Sequence, residues 1–87
     1  MTSRSWEAEF TEYFTGRAPG LRRTAYGLCG DWHTADDLVQ ATFVRLYPRW
    51  RTVRQETVDS YTYRIMINLY LSGTRRRRRE ILVEDVP

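Results

Sequence analysis

The chain has 87 residues, 41% of them apolar and 29% charged, enough for one modest helical or mixed domain and too well balanced for a disordered polyelectrolyte. No apolar run approaches the roughly 20 residues of a membrane span, and the first residues lack the apolar stretch of a signal peptide. A single cysteine, Cys29, excludes an internal disulfide and fits a reducing, cytoplasmic setting.

Charge is distributed unevenly. All 14 basic residues are arginine. Residues 1–44 hold four arginines against six acids, whereas residues 45–79 hold ten arginines against only Glu56 and Asp59. A basic back half points to nucleic acid or another anionic surface, and arginine suits phosphate forks and base stacking.

In chain order, the first helical pattern covers about Ser5 to Thr15, where Trp6, Phe10, Tyr13 and Phe14 make one stripe. Ser3 or Ser5 is its expected cap, with Glu7 and Glu9 in the first turn. Gly16 and Pro19-Gly20 then interrupt or kink the pattern before Leu21, Ala25 and Leu28 resume it. Two helices and one kinked helix both fit.

The next pattern is the clearest. Thr34 is the expected N-cap, with Asp36 and Asp37 in the first turn. Leu38, Val39, Thr42, Phe43, Leu46, Tyr47 and Trp50 follow a 3.6-residue period, and Asp36, Asp37, Gln40 and Val44 fall off it. Residues Arg49 to Ser60 read as a polar loop. Asp59 or Ser60 then caps a last helix from Tyr61 to about Arg77, whose apolar residues spread round its circumference and predict a central place in the core. No strand pattern is present. The fold class expected is all-α, a compact bundle of three to four helices, with a domain over 1–79 and the start of a linker over 80–87.

Asp36-Asp37-Leu38-Val39-Gln40-Ala41-Thr42-Phe43, then Tyr63-Arg64-Ile65-Met66-Ile67-Asn68 about twenty residues on, then the arginine run from Arg75 to Arg79, together resemble region 2 of extracytoplasmic-function (ECF) sigma factors of the bacterial sigma-70 family. The usual pattern there is Glu-Asp-Leu-Val-Gln-Glu-Thr-Phe, then Trp-Leu-Tyr-Arg-Ile-Ala-x-Asn, then several arginines. Leu28-Cys29-Gly30-Asp31 is similar to an actinobacterial branch. Asp36 stands for the usual Glu, Ala41 for a second Glu, Tyr61 for Trp and Thr62 for Leu.

The resemblance implies a promoter- and polymerase-binding domain with no catalysis and no cofactor of its own. It implies docking on the β′ clamp coiled coil of core RNA polymerase through Asp37 and Gln40, with Asp36 and an exposed edge of Phe43 or Leu46 in support. It implies recognition and opening of the promoter −10 element as non-template single strand by Trp50, Arg51, Arg54, Tyr61, Tyr63, Arg64 and Asn68. The loop 51–60 would take a flipped base, and Arg75, Arg76 and Arg77 would meet phosphates. An anti-sigma factor is a further implied partner; a membrane is not.

Without the resemblance, Asp36 and Asp37 fit ordinary helix-start chemistry, and Trp50 and Tyr61 fit a core as well as a stacking platform. A small helical interaction module with an arginine-rich tail, binding RNA or anionic surfaces without sequence preference, is the alternative function. Cys29 and His33 stand at i and i+4, but two ligands across Gly30-Asp31 make neither a zinc site nor a catalytic pair.

Overall fold

The computed structural model describes residues 5–84, and every regular element among them is helical: α1 (Trp6–Cys29), α2 (Trp32–Leu46) and α3 (Val58–Glu84), with short 3₁₀ turns at Tyr47–Arg49 and Gln55–Thr57. Ser5 caps α1 by accepting from the Ala8 N–H at 3.1 Å. The other expected cap, Ser3, lies outside the described residues.

Pro19 does not divide α1. It removes one backbone donor, which leaves the carbonyl of exposed Thr15 to water. The apolar stripe stays in register across it: Phe10, Leu21 and Ala25 are all buried on one side. That burial holds the second half of the helix in line with the first.

The α1–α2 corner turns in two residues. Gly30 ends α1 in the left-handed region, at φ 74°, and its N–H reaches the Tyr26 carbonyl at 2.7 Å. Asp31 is then the N-cap of α2, accepting from the Thr34 N–H at 2.8 Å and from the Thr34 hydroxyl. The expected cap, Thr34, is thus the residue being capped. Asp36 and Asp37 lie past the first turn, where the helix dipole has little hold on them.

The middle helix is α2, not α3. Its Ala35, Val39, Thr42, Phe43 and Leu46 are buried, and it packs against both neighbours. Phe14 stacks on Phe43 with ring centres 4.3 Å apart, and Phe10 meets Phe43 and Trp50 edge-on. Over residues 58–79 of α3, whose side chains are described, Val58, Thr62 and Met66, one turn apart each, are the buried ones. The reason is length. The 27 residues of α3 span about 40 Å and the 15 of α2 about 22 Å, so much of α3 has no partner to cover it.

α3 also starts earlier and ends later than its pattern suggests. Buried Val58 anchors its first turn, so Asp59 and Ser60 are inside it rather than capping it. At the other end it runs through Glu84, into the expected linker; residues 85–87 lie outside the described residues. No helix among the described residues is long and apolar enough to cross a membrane.

Candidate functional site

Consecutive residues on a helix point roughly 100° apart, and this separates the two aspartates of α2. Asp36 turns toward α1, where its Oδ1 accepts from Arg22 Nε at 2.5 Å. Arg22 also lies over the Trp32 ring, 4.3 Å from its centre, and Trp32 stacks on Tyr26 at 4.0 Å. Asp37 points outward and toward α3, with His33 Nε2 at 3.7 Å.

Gln40 is exposed, and Asp37, Gln40, Ala41 and Val44 form the outer ridge of α2. Val44 is 71% exposed. Phe43 and Leu46, expected to offer apolar edges to a partner, are 2% and 0% exposed and belong to the core. Val44 supplies the apolar surface instead. Its place off the buried stripe was the signal in the sequence: a β-branched apolar residue on the polar side of an amphipathic helix.

Trp50 is another correction. It is 7% exposed, with Phe10 at 5.5 Å and Tyr13 at 5.2 Å, so neither ring face is open to a base. The remaining basic and aromatic residues divide between two flanks of α3. An open groove of about 790 Å³ runs between α2 and α3. Asp37, Arg45 and Arg49 line one wall; Tyr61, Asn68, Arg76 and Arg77 line the other. Arg45 and Arg49 were not among the candidates, although their spacing of four in the basic half places them on one face. Tyr63 lies on the opposite flank, beside Tyr13, Arg17 and Asp59. Arg64 and Arg75 are exposed outside the groove, and Arg51 sits over the Trp6 ring at 5.5 Å. Exposed Arg54 leads into the Gln55–Thr57 turn.

Cys29 lines the far end of the same groove, half-buried, and burial pushes its thiol up, toward the unreactive protonated form.

A polar contact that the sequence did not reveal ties α1 to the start of α3. The Tyr13 hydroxyl donates to Asp59 Oδ1 at 2.6 Å, and Arg17 Nε donates to the same oxygen at 2.9 Å. Thr62, fully buried, gives its one proton either to the Val58 carbonyl at 2.7 Å or to the Tyr13 oxygen at 3.1 Å. The bond from Tyr13, joined by Arg17, holds the Asp59 carboxyl below its usual range. Burial pushes the Tyr13 phenol up, and Asp59 beside it adds to the shift.

Residues 14–80 of this helical chain match Sigma-70 region 2. The chain belongs to that family. It is 37% identical over 84 residues, 93% of its length, to the "ECF RNA polymerase sigma factor SigE" of Mycolicibacterium smegmatis, of which it covers 31%. It is 37% identical over 81 residues, 91% of its length, to the "RNA polymerase sigma-E factor" of Streptomyces coelicolor, of which it covers 46%. The chain thus spans a third to a half of the length of these sigma relatives. No solved structure matches it. The ECF region 2 resemblance in the sequence and the all-α region 2 fold stand together on these matches. The outer ridge of α2 and the arginine-walled groove lie side by side on this sigma region 2 domain.

Proposed function

We propose that this chain is the polymerase- and promoter-binding domain of an ECF sigma factor and acts in the cytoplasm on core RNA polymerase. The outer ridge of α2 docks on the β′ clamp coiled coil. Asp37 pairs with a basic side chain there, Gln40 adds hydrogen bonds, and Val44 supplies apolar area. The α2/α3 groove and the loop 51–57 hold the −10 element as a non-template single strand.

In that groove, Tyr61 offers a partly open ring for stacking, at about 1–3 kcal/mol per base. Asn68 presents an amide that can read a base edge. Arg45, Arg49, Arg76 and Arg77 meet phosphates and set the register of the strand. Holding bases unpaired favours the opened promoter, and the polymerase supplies the chemistry.

The observation that carries this reading is the match of residues 14–80 to Sigma-70 region 2, on a fold whose exposed residues include Asp37, Gln40 and Asn68. Calorimetry of the chain against the isolated clamp coiled coil tests the docking half. Binding is expected, and Asp37→Arg is expected to abolish it with the helical circular dichroism unchanged. Absence of binding by the wild-type chain, or binding indifferent to Asp37→Arg, overturns it.

A further inference from the structure

We propose that Tyr13, a residue of α1 that does not line the α2/α3 groove, is a positioning residue that sets the shape of the loop 51–57 and so its choice of base. The proposal rests on the reading of that loop as the base-selecting element. Tyr13 touches both ends of the loop at once. Its ring packs on Trp50, immediately before the loop, at 5.2 Å. Its hydroxyl bonds Asp59, in the first turn after the loop, at 2.6 Å across a sequence separation of 46 residues.

Between these ends the loop is shaped by its own short turns, with the Thr52 and Val53 N–H groups on the Arg49 carbonyl at 3.0 Å and the Thr57 N–H on the Arg54 carbonyl at 3.2 Å, and by Arg51 over the Trp6 ring. Val53 alone of its residues packs against the core. On the α1 side the loop borders an open hollow of about 530 Å³, lined by Tyr13, Arg17, Trp50 and Gln55 among others. These turns are local, whereas Tyr13 joins the two ends of the loop to each other through α1, and fixing those ends lowers the ordering cost at binding. Thr62 reinforces the same point. Where the sigma pattern has Leu, this chain has a buried hydroxyl whose contacts are the Val58 carbonyl and the Tyr13 oxygen. Tyr13, Asp59 and Thr62 together make the polar knot at this corner.

The test begins with selection by the wild-type chain from a randomised single-stranded DNA pool. Affinities for the enriched strand and a scrambled control are then compared by fluorescence anisotropy. Tyr13→Phe keeps the ring on Trp50 and loses the bond to Asp59. It is expected to narrow the enriched-to-scrambled ratio by roughly 2- to 10-fold, the range set by one hydrogen bond, while scrambled binding stays unchanged. Asp59→Ala should do the same. Asp59→Asn keeps a carbonyl acceptor for Tyr13 and should retain most of the ratio.

The double variant Tyr13→Phe/Thr62→Leu replaces the polar contacts with apolar groups of similar shape. It should melt near the wild-type temperature yet still lose selectivity. A wild-type ratio in Tyr13→Phe overturns the inference and leaves the loop reading standing. Equal losses on both strands that track a lowered Tm reduce Tyr13 to a structural residue and also overturn it. If the wild-type chain enriches no motif at all, the loop reading fails and the inference falls with it.

Discussion

Arg22 Nε lies 2.5 Å from Asp36 Oδ1, and this pair takes Asp36 out of the set of free carboxylates on α2. Its neighbour Asp37 pairs instead with the exposed His33, at 3.7 Å. Two adjacent acids therefore have different work: one ties α2 to α1, the other faces outward.

Asp36→Ala should accordingly leave clamp affinity within about 2-fold of wild type and lower Tm slightly, since exposed ion pairs contribute about 0–1 kcal/mol. Asp37→Ala should do the reverse, weakening docking at constant Tm. Calorimetry against the clamp coiled coil, run beside a thermal melt, separates the two.

Phe43 and Val44 should divide in the same manner. Phe43→Ala removes a buried ring that stacks on Phe14 and should cost about 3–5 kcal/mol. Set against a total of about 5–15 kcal/mol for a domain, that shifts the urea midpoint strongly and affects every activity. Val44→Ser should leave the urea midpoint nearly unchanged and weaken clamp binding.

Two acids and one phenol make stability fall at both ends of the pH range. Asp59 and Asp31 have folded values below the ordinary 3.8, the first through the Tyr13 hydroxyl and the second through the Thr34 hydroxyl and N–H. Their contributions are present above that value and are lost as pH falls through the lower folded values. Tyr13 has a folded value above its ordinary 10.0, through burial first. Its contribution is present below 10.0 and is lost as pH rises through the folded value. Tm measured against pH should fall on both limbs. Asp59→Asn should flatten the acid limb, and Tyr13→Phe the alkaline one.

Periodicity carried much of this fold. The buried Val39, Thr42, Phe43, Leu46 and Trp50 follow directly from the helical spacing, as does the separate outer ridge of α2, but Tyr47, on the same pattern, is 42% exposed because its ring lies at the edge beside Trp6 and Phe10. Local rules erred where tertiary contacts outweigh them. Pro19 reads as a break, but Leu21 and Ala25 are buried in register with Phe10 and carry the helix through. Thr34 is a sound cap residue by type, but Asp31, placed by left-handed Gly30, starts the helix three residues earlier and accepts from Thr34's own N–H. Apolar residues all round α3 suggested a central helix, but the shorter α2 covers only part of it. The site was legible as a set of residue types and not as surfaces. No spacing rule shows that Trp50 is enclosed by Phe10 and Tyr13, that Arg45 and Arg49 face Asn68 across a groove, or that Tyr13 meets Asp59 from 46 residues away.

Asn68 and the groove arginines should differ in kind. Asn68 is exposed, so Asn68→Ala should leave Tm unchanged and cost about 1–3 kcal/mol on the preferred strand and less on others. Replacing Arg76 and Arg77 by Ala should weaken all strands alike. It should also flatten the slope of log affinity against log salt by about 0.7 per lost phosphate contact. Arg45→Ala and Arg49→Ala should behave like the Arg76 and Arg77 changes. Anisotropy over a salt series checks each variant.

Most direct of all is an anisotropy titration of the chain assembled on core RNA polymerase. The probes are a labelled single strand enriched from a randomised pool, a scrambled strand of the same composition, and the duplex of the first. The expected result is preference for the enriched single strand over the scrambled one by about 10-fold or more, the value of one well-read base, with the preference reduced in Asn68→Ala. Equal affinity for both single strands, with identical salt slopes, is the behaviour of an arginine-rich tail binding any polyanion, and it would contradict promoter recognition by this domain.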